Sequence, residues 1–294
     1  MEDTLLTTTC QRWRLGRDSR RPAAEPINTA RYACDEIDER AAKRFVLTHH
    51  YARSYPAARI RIGLFRAGAG LVGVAVFATP MNNATINKYL DAQDGCELGR
   101  LVLLDDVEAN GETWFLGRCF RILRQRHPHI GGIVSYSDPL PRTTVQGELI
   151  KPGHIGTIYQ ASNARYVGRA TAQTLVLDDA GRVISRRSLS KLRNDERGAA
   201  AVYEQLLRAG APRRKESESG ADYCDRAIAR GPFRLVRHPG NLTYVWSLNA
   251  ETTIRLPARP YEKAETIERQ QPLFPNATAP LLRRCSDLTP TEER

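Results

Sequence analysis

The chain has 294 residues and a mass of 33.0 kDa, with 44 Lys and Arg against 33 Asp and Glu, a formal net charge of +11. Its 41% hydrophobic content excludes wholesale disorder, and a chain this long buries roughly three quarters of its unfolded surface without needing disulfides. The longest apolar stretch, residues 71–78, is of strand length, far short of the about 20 residues that cross a bilayer.

Residues 1–29 are polar and Arg-rich and read as a basic arm or leader. A helix is expected over 35–49, where Ile37, Ala41, Phe45 and His49 recur every fourth residue and Pro56 lies beyond the end. Residues 59–66 alternate basic and apolar, Gly68 and Gly70 signal a turn, and 71–79 form a more buried strand, so a hairpin is expected. A strand over 97–104 leads through Asn110-Gly111 into a helix over 113–126, which Pro128 stops. Residues 132–137 are a short buried strand, 155–163 a short helix, and 174–177 with 182–185 a second hairpin. A helix over 199–208 precedes an exposed basic loop reaching Ser219. A last hairpin is expected over 233–236 and 242–246 across Pro239-Gly240-Asn241.

This order implies an α/β or α+β fold: a mixed central sheet flanked by helices, compatible with a GNAT-like acyltransferase architecture. Four segments follow: a basic arm (1–29), a catalytic core (30–198), a basic C-terminal extension with a β-hairpin (199–250) and a Pro-rich tail (251–294). Cys10, Cys34, Cys96, Cys119, Cys224 and Cys285 include no C-x-x-C pair, which speaks against a zinc knuckle and for a reducing, cytoplasmic setting. The basic excess predisposes the chain to a polyanion, most often nucleic acid; a GC-rich genome produces the same Arg-rich composition.

Three clusters carry chemistry. Thr48-His49-His50-Tyr51 closes the first helix, with one histidine facing the core and the other a cleft. A His beside a Tyr serves as acid/base pair, stacking platform or metal ligands, or simply caps a helix carboxyl end. Glu97-Leu-Gly-Arg100, followed by Asn110-Gly111-Glu-Thr113, sets a strand before a helix amino terminus, a generic anion site, with no glycine cradle of the R/Q-x-x-G-x-G/A kind. Gly111 and Thr113 are donor-site candidates there, and Arg100 could reach a donor phosphate. The third cluster begins at Val134-Ser-Tyr-Ser137-Asp138-Pro139 and continues through Gly153-His-Ile-Gly156, Tyr159, Gln160, Asn163 and Tyr166. An Asp just past a buried strand lies where clefts open in α/β sheets. Tyr159 and Tyr166 share a face if a helix continues, with Gln160 and Asn163 between them. Such a set suits a flipped base, with rings for stacking and amides for its Watson–Crick edge, or a structural loop whose tyrosines pack on the sheet.

This third run, S-Y-S-D-P followed by G-H-I-G-T-I-Y-Q-A-S-N-A-R-Y-V-G, resembles the Mom family of phage DNA-modification proteins. His50-Tyr51 and the Glu97–Leu101 strand fit the same pattern, and the resemblance spans about residues 35–190. It implies a GNAT-like fold and conversion of adenine in double-stranded DNA to its N6-carbamoylmethyl derivative, which shields phage DNA from host restriction. It further implies active-site roles for His50, Tyr51, Arg100, Asp138 and Tyr159, with Thr113 and Ser137 at the donor site.

On this reading Asp138 removes a proton from the exocyclic amine while Arg100 and backbone N–H groups near Thr113 hold the donor. The donor is a glycyl unit such as glycyl-tRNA, or an acyl-CoA. A route through oxidation would require a redox metal such as iron, with His50, Tyr51 and Asp138 as ligands. Two other classes fit the same composition: an N-acyltransferase for a small molecule or protein amine, and a non-catalytic DNA-binding protein. Arg182 to Arg237, including Arg186, Arg187, Lys191, Arg193, Arg213, Arg214 and Lys215, are expected to contact DNA phosphates along with the N-terminal arm.

Overall fold

The computed structural model describes residues 9–14, 17–22, 26–82 and 84–262. Within the arm, β1 (Thr9–Arg14) and β2 (Arg17–Pro22) pair antiparallel. Next come β3 (Tyr32–Glu36), α1 (Glu39–His49), β4 (Ala58–Arg66), β5 (Gly70–Ala78), α2 (Thr85–Tyr89), β6 (Leu90–Asp91), β7 (Gly95–Leu103), α3 (Gly111–Arg126) and β8 (Gly132–Ser137). After the short strands β9 (Arg142–Thr143) and β10 (Leu149–Lys151) come α4 (Thr157–Ala161) and β11 (Arg165–Arg169). The remainder is β12 (Gln173–Leu177), β13 (Val183–Ile184), α5 (Arg186–Arg193), α6 (Ala199–Arg208), α7 (Gly220–Arg230), β14 (Arg234–His238), β15 (Leu242–Ser247) and β16 (Thr253–Ile254).

The chain divides into two compact units. The first holds a seven-stranded mixed sheet ordered β11-β15-β8-β7-β5-β4-β3, in which β7 and β8 run parallel and the other neighbours antiparallel. β5 is an interior strand covered on both faces, which explains its unbroken apolar run. Asp38 starts α1 by accepting the Ala41 amide at 2.8 Å, and Ala42, Phe45 and Val46 bury that helix against Val74 and Val76.

The second unit has a three-stranded sheet, β13-β12-β14, and the helices α5, α6 and α7. Its core is Val176, Ile184, Leu189, Leu192, Val202, Leu206, Tyr223 and Cys224. Among the described residues, no helix is long and apolar enough to cross a membrane.

Three expectations are corrected. Residues 233–236 and 242–246 do not form a hairpin: β14 pairs with β12, whereas β15 inserts between β8 and β11 in the other sheet. The Pro-Gly-Asn turn redirects the chain because Gly240 adopts φ +99° and sits so close to Ala170 that a Cβ would lie 1.9 Å from its carbonyl oxygen. Consequently a strand placed by sequence in the C-terminal extension completes the first unit's sheet. Secondly, the helix after Gly156 does not reach Tyr166. It ends at Ala161, Asn163 turns left-handed at φ 60°, and Tyr166 lies in β11. Thirdly, α5 and α7 occupy stretches with no expected helix, each started by a serine cap, Ser185 and Ser219. Of the Pro-rich tail, residues 251–262 pack on the first unit through β16, Tyr261 and Glu262, and 263–294 lie outside the described residues.

Candidate active site at a fork between parallel strands

β7 and β8 share three ladder positions, Gly95 with Gly132, Cys96 with Ile133 and Glu97 with Val134. Beyond them the strands separate, although β7 continues to Leu103 and β8 to Ser137. At the fork the Ser135 hydroxyl donates to the Leu98 carbonyl at 3.0 Å, taking the place of a backbone rung. A free backbone acceptor would be costly there, so this side chain stabilises the opening.

A bulge at Gly99 decides which side chains face the gap. Glu97 lies opposite Ala78 and Arg100 opposite Val76, so the extra residue puts these two charged side chains on one face. Arg100 donates to the Ser54 carbonyl at 2.9 Å and to the Ser54 hydroxyl at 2.6 Å. It is thus committed to the segment after α1 rather than extended toward a donor phosphate, and it lies electrostatically beside Tyr51, Glu97 and Tyr159. Burial raises the Glu97 carboxyl above the usual range, with Arg100 opposing. Glu97 makes no side-chain hydrogen bond or ion pair among the described residues.

His49 and His50 have different neighbours. His49 packs on Phe45 with ring centroids 4.6 Å apart, whereas His50, the cap of α1, stacks on Tyr51 at 4.3 Å. Burial lowers His50 to about 3, helped by Arg100 and His154, so its imidazole is neutral near pH 7. Tyr51 is raised to about 12, chiefly by burial, and remains a phenol. Its hydroxyl lies 3.5 Å from Nε2 of His154, whose own value falls to about 4 through burial.

Tyr159 projects from α4 between Tyr244 and Trp246, with centroids 5.4 and 5.6 Å away, and burial raises its phenol as well. Gly156 makes this approach possible: a Cβ there would lie 2.8 Å from the Tyr244 ring.

Asp138 is occupied. Its carboxylate lies 3.1 Å from the Lys151 ammonium and 3.7 Å from Arg142, and it accepts the Leu140 amide at 3.0 Å. Its backbone carbonyl accepts the His154 amide at 2.9 Å. Lys151 is nearly sealed, donates to the Leu140 carbonyl at 3.0 Å, and is lowered by burial to about 8.

The structure therefore groups His50, Tyr51, Arg100, Asp138 and Tyr159, and adds Glu97, Lys151 and His154. Glu97 and His154 lay in runs that the sequence singled out, Glu97-Leu-Gly-Arg100 and G-H-x-G, but neither was assigned a role there; burial of a lysine has no local signature. Gln160 donates to the Ile155 carbonyl at 2.9 Å and to the Tyr244 hydroxyl at 3.1 Å, so its amide N–H groups brace the loop instead of reading a base. Asn163 is exposed, and Tyr166 is buried, donating to Glu262 at 2.7 Å. Ser137 is buried at the end of β8. Thr113 folds its hydroxyl back to the Asn110 carbonyl at 3.0 Å. Gly111 opens α3, whose left-handed cap residue Asn110 makes no side-chain cap bond.

His50, Tyr51 and Asp138 do not suit a metal. His50 Nδ1 accepts the Ala52 amide at 3.1 Å, and Asp138 is already paired with a buried cation. Among the described residues no three His, Cys, Asp or Glu side chains are grouped to hold one.

Comparison with known proteins adds three findings. Methylcarbamoylase mom of Escherichia phage Mu is 26% identical over 141 residues, 47% of this chain and 54% of that protein. The chain thus matches about half the length of this relative. A solved tandem GNAT protein from the clavulanic acid biosynthesis pathway superposes with a TM-score of 0.39 at 9% identity, covering 75% of this chain and 99% of that one. The profile of the Mom protein family matches residues 31–217, which contain the fork and the charged groups around it, and the chain belongs to that family.

Proposed function

We propose that the chain transfers an acyl or aminoacyl unit to the exocyclic amine of adenine in double-stranded DNA, leading to the N6-carbamoylmethyl base. The observation that carries this reading is the fork itself: in a Mom family chain, an uncommitted carboxylate, Glu97, shares a strand opening with Arg100 and two protonated tyrosines. The adenine amine attacks the donor's acyl carbon, forming a C–N bond and an oxyanion. The phenols of Tyr51 and Tyr159 donate hydrogen bonds to that oxygen, and the Arg100 charge lies beside them. Glu97 accepts the N6 proton, which the departing oxygen or sulfur then takes up as its bond to carbon breaks.

Asp138 is assigned a holding part rather than the proton transfer, because a carboxylate paired with a buried ammonium is a poorer base. With a glycyl donor, the product already holds the two carbons and the nitrogen of the final group. The glycyl amine adds to the ring carbon, and the original N6 departs as the terminal amide, so the rearrangement needs no oxidant. Glycyl-tRNA supplies such a unit; an acyl-CoA supplies the carbons without the nitrogen.

The test is expression of the chain with a plasmid, enzymatic digestion of the DNA, and mass analysis of the nucleosides. A carbamoylmethyl-deoxyadenosine peak is expected. Soluble, folded protein with only unmodified deoxyadenosine overturns the reading. Acylation of free amines without DNA favours a small-molecule N-acyltransferase instead.

A further inference from the structure

Residues Gln173–His238 of the second unit contain fourteen Lys and Arg against nine Asp and Glu. The structure sorts these charges into two groups. Five arginines are consumed internally: Arg182 by Asp178, Arg187 by Glu196, Arg193 by Asp225, Arg214 by Asp195 and Arg226 by Glu218. Arg187, Arg193 and Arg214 therefore leave the set of expected phosphate contacts, since each already neutralises a carboxylate.

Two of these pairs, Arg214–Asp195 and Arg226–Glu218, build a frame around one end of the unit. Arg214 links Asp195, in the turn between α5 and α6, to the Glu218 carbonyl at 2.8 Å. Arg226 holds the Glu218 carboxylate and donates to the Arg213 carbonyl at 2.8 Å, and the Lys215 amide donates to Glu218 at 2.9 Å. Gly220 seats the loop against α5, where a Cβ would lie 2.1 Å from the Leu192 carbonyl oxygen. Arg197, Arg213 and Lys215 project from this framed end, exposed, with no side-chain hydrogen bond or ion pair among the described residues. Glu216 is exposed beside them.

We infer that Arg197, Arg213 and Lys215 form a platform for the phosphate backbone of duplex DNA; this rests on the DNA reading above and says where the duplex is held. Cations whose backbone is already held by a frame of ion pairs lose little backbone freedom on binding. Among the described residues of Gln173–His238, the aromatic side chains Tyr203, Tyr223 and Phe233 are packed in or against the core of this unit. Single strands are gripped by stacking bases on exposed rings, whereas a duplex needs only cations along its backbone, so the duplex is favoured.

The experiment measures binding of the full chain to a fluorescent duplex and to one of its single strands, by anisotropy over a range of salt concentrations. Replacing Arg197, Arg213 and Lys215 together by Ala is expected to weaken duplex binding about 10- to 100-fold near 0.1 M salt. The slope of log K against log salt should fall by roughly 2 to 3. Glu216→Ala should tighten binding. Thermal melts establish that the exposed substitutions leave folding intact. Wild-type binding to duplex with an unaltered triple variant overturns the platform alone. Failure of the wild type to bind duplex overturns it together with the DNA reading. Tighter binding of the single strand overturns the choice of duplex.

Discussion

Lys151 and Asp138 form an ion pair 3.1 Å long, with the lysine side chain only 3% exposed. The pair fastens the loop after β8 to the loop carrying His154, whose amide is bonded to the Asp138 carbonyl. One link of backbone and one of side chain thus hold the S-D-P and G-H-x-G runs together. Both sides depend on the partner: removing either leaves a charge buried and uncompensated.

Lys151→Met is accordingly expected to cost about 3 kcal/mol at neutral pH, with Arg142 softening the loss of the ammonium. The pH dependence gives a sharper test. The folded value is about 8 and the ordinary value 10.5, so between these limits the unfolded chain holds a proton that the folded chain lacks. Stability therefore rises with pH across that window, by at most about 1.4 kcal/mol per pH unit from this group. Urea unfolding at several pH values should show this slope in the wild type and its absence in Lys151→Met. Equal slopes would mean that Lys151 is solvated.

Glu97→Gln keeps the size and the opening of the fork but removes the proton acceptor. A rate loss of about 10²- to 10⁴-fold in DNA modification is expected, without change in thermal stability. Because burial raises the Glu97 carboxyl, wild-type activity should climb as pH rises through that elevated value, and the variant should lose this limb. A variant as active as the wild type would assign the proton to another group.

Two glycines make a paired control. Gly153→Ala puts a Cβ 1.9 Å from the Pro139 carbonyl oxygen, so the loop carrying His154 must move, and both activity and melting temperature should fall. Gly117→Ala, in α3, meets nothing within 4 Å and should stabilise by up to about 1 kcal/mol through helix propensity. A melt showing the two to be equivalent would contradict the tight crossing at Gly153.

Much of the local structure was legible. The hairpin of β4 and β5 follows from alternation, and α3 from its apolar spacing between an Asn-Gly turn and Pro128. The separation of β14 and β15 into different sheets was not legible, because Pro-Gly-Asn between two apolar runs is a strong local hairpin signal that tertiary pairing overrode. β15 gains more by filling the slot between β8 and β11, where it is buried on both faces, than by pairing with β14. α5 was hidden by its charge, with Leu189 and Leu192 alone facing inward.

By itself the sequence determined the family, the chemical types around the site and the histidine and tyrosine pair at the end of α1. Those are properties of residues near one another in the chain. The tertiary structure alone decided which carboxylate is free. Asp138 meets Lys151 across a loop crossing, Tyr51 meets His154 at a separation of 103 residues, and a bulge at Gly99 turns Glu97 to the face of Arg100. Burial and pairing set the charge state of each group, and both arise from contacts that no local pattern encodes.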